Sequence, residues 1–196
     1  VIVDKNINPK SLLTGDRNAI IIAARSSGYG NAYETSVTCP KCGSKSTEVF
    51  DLDNPKIKET IYENDELNLG RGGDGYFFTQ MPQSKYVVKF RLLTGKDEIE
   101  MVESKLKKKK RKIAGLENNV TNQFKRMIVD VQGINDQSMI NRFVDVMTSR
   151  DSSHLKKCYN EVNPNIEIKN DFECESCGHQ QELEVPLNAD FFWPDA

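Results

Sequence analysis

No run of apolar residues in this 196-residue chain approaches the roughly 20 that a bilayer-spanning helix needs. The longest, Ala19 to Ala24, has the length of a buried segment. Net charge is nearly absent too: 27 Lys and Arg oppose 29 Asp and Glu, a formal net of -2, so no global field draws the chain onto nucleic acid or membrane. The start lacks a charged-then-apolar signal and a cleavage site. It opens on Val1 rather than Met, and a processed chain, or one with residues ahead of Val1, is expected. An even disulfide framework is missing, because there are five cysteines. Without an export signal this favours metal binding and a reducing, cytoplasmic place of synthesis. Carboxylates are plentiful, but no pair stands in an apolar setting that would retune its acidity. What is present, 37% hydrophobic and 29% charged residues, suits one substantial core, alone or with a small satellite.

Along the chain, residues 9 to 30 read as a helix. Pro9 and Thr14-Gly15-Asp16 mark its start, and Gly28 and Gly30 its end. Ile20 to Ala24 cover more than one face, so burial on several sides is expected. Tyr33 to Leu52 reads as strand, cysteine pair, strand. Periodicity then fails, and 53–80 is expected to be a long flexible loop ending beyond Gly70-Arg71-Gly72-Gly73-Asp74-Gly75. Tyr86 to Leu92 alternates as a strand. Thr94 caps a helix that ends in the basic run Lys105 to Lys112, with acid first and base last as the helix dipole prefers. Met139, Ile140, Phe143, Val144 and Met147 form one helical stripe behind Asn135 or Asp136. Leu155, Cys158, Tyr159 and Val162 form another, expected after Ser152 and before Pro164. Strands flank the second cysteine pair around Phe172 and Leu183. A faint echo links Leu12-Leu13-Thr14-Gly15 with Leu92-Leu93-Thr94-Gly95.

Cys39-Pro40-Lys41-Cys42-Gly43 and Cys174-Glu175-Ser176-Cys177-Gly178 have the form of zinc knuckles. Two intervening residues let one tight turn offer both sulfurs, and the following glycine permits positive φ. Four thiolates would satisfy one zinc completely and leave no open position, which makes a structural site. Residues 43 to 173 separate the pairs. Closing such a loop costs about 4 kcal/mol of chain entropy, against roughly 10–16 kcal/mol that structural zinc contributes. The alternative is two half-sites, each completed by another chain.

The other candidates have bland readings beside them. His179 either replaces one thiolate or lies on the outgoing strand surface. Cys158 reads as a buried inert thiol, and His154 as its chance neighbour at i−4. Lys105 to Lys112 either bind phosphate backbone or form a solvated helix end, and no aromatics interleave them for base stacking. Gly70 to Gly75 lacks the Lys-Ser/Thr of a phosphate loop. Phe191, Phe192 and Trp193 must pack on the chain's own core or on a partner.

Several stretches together resemble one family: Leu13 to Arg17, Tyr29-Gly30, the Cys39 knuckle, Lys89-Phe90-Arg91-Leu92-Leu93-Thr94-Gly95, and the Cys174 knuckle closing in Asp190-Phe191-Phe192-Trp193-Pro194. This is the baseplate hub protein family of T-even-like contractile-tailed bacteriophages, and the likeness runs from about Leu12 to Pro194. It implies a virion role in the central hub of the tail baseplate, with other tail or hub subunits as partners and zinc on the four named cysteines. The Lys105–Lys112 run has no place in that pattern.

The expected fold is α+β: helices on a small β/zinc-ribbon unit closed by the two distant knuckles. Residues 1–52 and 164–196 would form the zinc ribbon with its N-terminal helix, and 53–163 an insertion of strand and helices. The expected function is structural and non-enzymatic, without small-molecule substrate or membrane span, in a protein made in the host cytoplasm. The alternative from another class is a zinc-ribbon regulator that binds nucleic acid through the lysine run.

Overall fold

The computed structural model describes residues 6–53, 55–110, 119–185 and 191, with backbone alone at 105–110, 119 and 167. In chain order the elements are α1 (Thr14–Tyr29), β1 (Ala32–Thr38), β2 (Lys45–Asp51), β3 (Lys56–Ile57), β4 (Leu69–Arg71), β5 (Phe77–Gln80), β6 (Val87–Phe90), α2 (Gly95–Lys110), α3 (Asn119–Met127), β7 (Ile128–Val131), α4 (Gln137–Asp145), α5 (Ser149–Val162), β8 (Ile166–Glu167), β9 (Lys169–Glu173) and β10 (Gln180–Glu184). The fold is mixed α+β. None of the described helices is long and apolar enough to cross a membrane.

The chain divides into two compact units. Among the described residues, the first holds 15–59, 164–185 and Phe191, and the second holds 6–14 and 60–163.

In the first unit, two antiparallel hairpins carry the cysteine pairs at their tips. β1 pairs with β2 in the register Tyr33↔Phe50 and Val37↔Ser46. β9 pairs with β10 as Phe172↔Gln181 and Asp171↔Glu182. β3 and β8 join in a short ladder, Lys56↔Glu167 and Ile57↔Ile166. Alternation along each strand sends one set of side chains inward. Tyr33, Phe50, Leu52, Ile168, Val185 and Phe191 meet Ile22 of α1 in one cluster, and Phe172 lies with Cys39 and Cys174 in another. α1 is buried less than its isoleucines promise. Its buried residues are Gly15, Ile22 and Arg25, while Ile20 stays exposed. Consecutive helical positions point about 100° apart, so three isoleucines in a row cannot share one apolar wall. Gly15 admits the backbone of Pro164, since a Cβ there would stand 1.9 Å from the Pro164 carbonyl oxygen.

The second unit is built on the antiparallel sheet β4-β5-β6-β7. Phe77 and Thr79 of β5 and Val88 and Phe90 of β6 point inward. There they meet Phe124 and Met127 of α3, Ile140 and Val144 of α4, and Leu155, Cys158 and Val162 of α5. The loop expected over 53–80 is therefore only partly loop. β4 and β5 form a hairpin inside it, and the glycine-rich stretch is its turn, with the Gly72 N–H donating to the Tyr76 carbonyl at 2.7 Å. Short strands with Gly70 in one of them leave too little alternation to detect. Gly70 lies under the tip of the Phe78 ring, which would stand 2.5 Å from an added Cβ and would have to swing aside. β7, a four-residue strand directly after α3, was likewise not expected.

Both helix caps in the second half are side-chain oxygens, Asp136 for α4 and Thr148 for α5. Thr148 starts α5 one turn ahead of the expected Ser152. The first-turn carboxylate Asp151 is buried and accepts the backbone N–H groups of Gln83 and Ser84 at 2.7 and 3.1 Å, which fixes the β5–β6 turn on the helix. At the start of α2, Asp97 reaches back and accepts from both the N–H and the hydroxyl of Thr94. Asp97 also takes a two-pronged contact from Arg91 at 2.7 and 2.8 Å. Burial works to raise the Asp97 carboxyl, but the Arg91 guanidinium and the Thr94 donors outweigh it and hold it at about 2. The two echoed Leu-Leu-Thr-Gly segments touch each other. Leu13 and Thr94 form an antiparallel bridge, the Gly95 N–H donates to the Leu12 carbonyl at 3.0 Å, and Thr14 donates to Glu98 at 2.9 Å.

Candidate metal centre

Each cysteine pair occupies the tip of a hairpin, and the two tips are built alike. The Cys39 N–H donates to the Ser44 carbonyl at 2.8 Å and the Gly43 N–H to the Cys39 carbonyl at 2.9 Å. In the other hairpin the Cys174 N–H donates to the His179 carbonyl at 2.9 Å and the Gly178 N–H to the Cys174 carbonyl at 2.8 Å. Gly43 and Gly178 have φ of 74° and 63°, the left-handed conformation that closes each turn. In both, the first cysteine is buried and the second exposed: Cys39 and Cys174 are 1% and 3% accessible.

The four sulfurs converge. Cys39 Sγ lies 3.8 Å from Cys177 Sγ, Cys42 Sγ lies 3.6 Å from Cys174 Sγ, and all four fall within 4.8 Å of one another. A tetrahedron of sulfurs with metal–sulfur bonds near 2.3 Å has edges of about 3.8 Å, so the donor set fits a tetrahedral, thiophilic cation. These four groups can hold a metal ion.

The sequence did not single out Ser44. Its hydroxyl lies 3.0 Å from Cys42 Sγ and 3.2 Å from Cys174 Sγ, bridging the knuckles. Its hydrogen bond is the main reason the Cys174 thiol falls to about 6 and the Cys42 thiol is lowered as well. The backbone of His179 works to lower Cys177, but burial and the sulfurs of Cys42, Cys174 and Cys39 push it up to about 12. A divalent cation would bind the four sulfurs as thiolates and displace their protons. A serine following Cys-x-x-Cys-Gly was the available signal. His179 contributes its backbone and is not in the group of clustered ligand atoms.

The remaining candidates separate by unit. Cys158 is fully buried in the second unit, 3.5 Å from both Thr79 Oγ1 and His154 Nε2, with Thr79 and His154 2.9 Å apart. Burial pushes the Cys158 thiol up and the His154 imidazole down, so both remain neutral and the thiol is a poor nucleophile. Thr79, remote in sequence, is the third group that the sequence did not reveal. Its own hydroxyl donates to the Leu67 carbonyl at 2.8 Å. Lys105 to Lys110 lie in α2, with Arg111 and Lys112 outside the described residues. Of the terminal aromatics, Phe191 is 0% exposed and packs edge-on against Tyr33, ring centres 4.8 Å apart, in the first unit's core. Phe192 and Trp193 lie outside the described residues.

No curated protein sequence and no solved structure matches the chain significantly. The family described as T4 bacteriophage base plate protein matches residues 1–193, almost the whole of a chain whose hairpins and sheet have just been described, and the protein belongs to that family.

Proposed function

We propose that the protein is a non-enzymatic structural subunit of the central hub of a contractile-tail baseplate, with a zinc ribbon of residues 1–52 and 164–196 closed by one Zn2+ on Cys39, Cys42, Cys174 and Cys177. Membership of the baseplate family implies a place in the virion tail and contacts with other baseplate proteins. The observation that carries the structural reading is the convergence, within 4.8 Å, of four sulfurs from two hairpin tips far apart in sequence. Bound zinc would supply rigidity where a reducing cytoplasm denies a disulfide. Four thiolates fill its coordination, so neither water nor substrate gains a site on the metal.

The chain's own residues prepare that closure. Gly43 and Gly178 turn the backbone, Ser44 hydrogen-bonds across the knuckles, and the two ladders point the tips at one another. Residues 53–163 form the inserted body. Phe192 and Trp193 are the proposed partner contacts, whereas Phe191 is committed to the core of its own unit.

The test joins composition to position. Elemental analysis of the folded protein should return one zinc per chain, and density for this subunit should lie at the hub in images of intact tails. A metal-free folded protein would remove the staple, and density absent from the tail would remove the hub role. Trp193→Ala should weaken incorporation into tails without altering zinc content, read by co-sedimentation with assembled baseplates. The nucleic-acid reading would gain only from DNA or RNA binding that falls steeply with salt.

A further inference from the structure

Each knuckle carries one hidden sulfur and one open to solvent: Cys39 and Cys174 are buried, Cys42 and Cys177 exposed. Two close sulfur contacts run between the hairpins, and each joins an exposed thiol to a buried one. Cys42 Sγ lies 3.6 Å from Cys174 Sγ, and Cys177 Sγ lies 3.8 Å from Cys39 Sγ. The Ser44 hydroxyl stands between the members of the first pair, 3.0 Å from Cys42 Sγ and 3.2 Å from Cys174 Sγ. Cys158 is buried in the other unit.

A thiolate is a nucleophile as well as a metal ligand. Exposed Cys42 or Cys177 can attack a hydroperoxide, break its O–O bond and become a sulfenic acid, with hydroxide as the leaving group. A second thiolate then attacks that sulfur and expels another hydroxide, which leaves a disulfide. In sum, two thiolates are oxidised, hydrogen peroxide is reduced, and two protons complete two waters. The buried sulfur of the opposite hairpin is placed for the second attack. Each contact must shorten by about 1.6–1.8 Å to reach an S–S bond near 2.05 Å.

We propose that Cys42 and Cys177 are oxidation sites at which a peroxide converts the four-sulfur centre into two disulfides across the hairpins, Cys42–Cys174 and Cys177–Cys39. Oxidation withdraws the four thiolates as metal ligands, yet the hairpin tips stay joined. A clasp made in a reducing cytoplasm thus persists in an oxidising medium. This chemistry rests on the reading that one metal closes the two knuckles. Disulfides within each knuckle would instead leave the two hairpins unconnected.

The full chain, freed of reductant, is treated with hydrogen peroxide and then EDTA, alkylated with N-ethylmaleimide and digested without reduction. Trypsin cuts after Lys41 and a glutamate-specific protease after Glu175, which separates all four cysteines. Mass spectrometry should find Cys42 bonded to Cys174 and Cys39 to Cys177, with Cys158 still a thiol. Amide protection over 32–51 and 169–184 should survive EDTA in the oxidised protein and be lost once dithiothreitol is added. Cys39–Cys42 and Cys174–Cys177 bonds, sulfinic acids, unreacted thiols, or crossed bonds without retained protection would each overturn the proposal. Zinc content measured before peroxide judges the metal reading separately. Zinc present with bonds inside the knuckles defeats the crossed pairing alone; crossed bonds in a protein that never held zinc defeat the metal reading and support the pairing.

Discussion

Phe77, Met81, Phe90, Leu155 and Val162 of the sheet-and-helix unit meet in one continuous core, with helices laid against a four-stranded sheet. The cysteine unit is made differently. Its apolar groups fall into two small clusters, its ladders have two strands each, and its hairpin tips end on thiols. A two-stranded hairpin is marginal in water, so under the proposed zinc closure this unit would depend on what joins its tips, whereas the other depends on packing. Apolar burial can be trimmed one methyl at a time, but a closed coordination sphere is kept or lost as a whole.

The sharpest way to break the contrast is Cys39→Ser or Cys177→Ser. Either should abolish protection of amide hydrogens over 32–51 and 169–184 while leaving protection over 77–90 largely intact, read by hydrogen exchange. A chelator should reproduce the pattern in the parent. Variants that melt like the parent without metal would show that no staple exists. Next in size, Leu155→Ala opens a cavity at a fully buried position of the other unit. It should cost about 2–5 kcal/mol in urea unfolding, with zinc content unchanged. Loss of metal on that change would tie the two stabilities together.

A third test uses pH on the second unit. The Asp97 carboxyl sits at about 2 in the folded chain, below the usual carboxylate near 3.9 in an unfolded one. Its contribution is therefore complete above about pH 4 and lost as pH falls through about 2, a change of about 2 kcal/mol. Asp97→Asn should remove this acid-sensitive part, so the urea midpoints of parent and variant should converge between pH 5 and pH 2. Parallel curves would refute the pairing with Arg91. The smallest expected effect is that of Ser44→Ala, which leaves all four sulfurs in place but takes away the hydroxyl between Cys42 and Cys174. Outer partners of this kind set metal affinity by about 10- to 100-fold, measurable by competition with a chromogenic chelator. An unchanged affinity would make Ser44 a bystander.

Legibility followed the range of the interaction. The helical stripes behind α4 and α5 could be read because Ile140, Val144, Leu155, Cys158 and Val162 recur at helical spacing, and each of them is buried. β1 and β2 were legible as the two sides of a turn. β4 and β5 were not, because a glycine-rich turn between short strands resembles loop until its cross-strand partners are known. The helix α1 misled, since an isoleucine run signals burial without saying which face a partner covers. Arg25 went unnoticed for the same reason: nothing local marks an arginine as inward-facing.

By itself the sequence determined that each Cys-x-x-Cys-Gly closes a tight turn with two thiols on one side, because that outcome needs only the two intervening residues and a glycine free to take positive φ. It also determined where the capped, striped helices lie. Only the tertiary structure decided that the two turns share one point, that Ser44 hydrogen-bonds between them, that Thr79 completes a trio with His154 and Cys158, and that a guanidinium lies buried beside Tyr33. Those juxtapositions depend on strand pairing and packing between residues far apart in the chain, which no local spacing encodes.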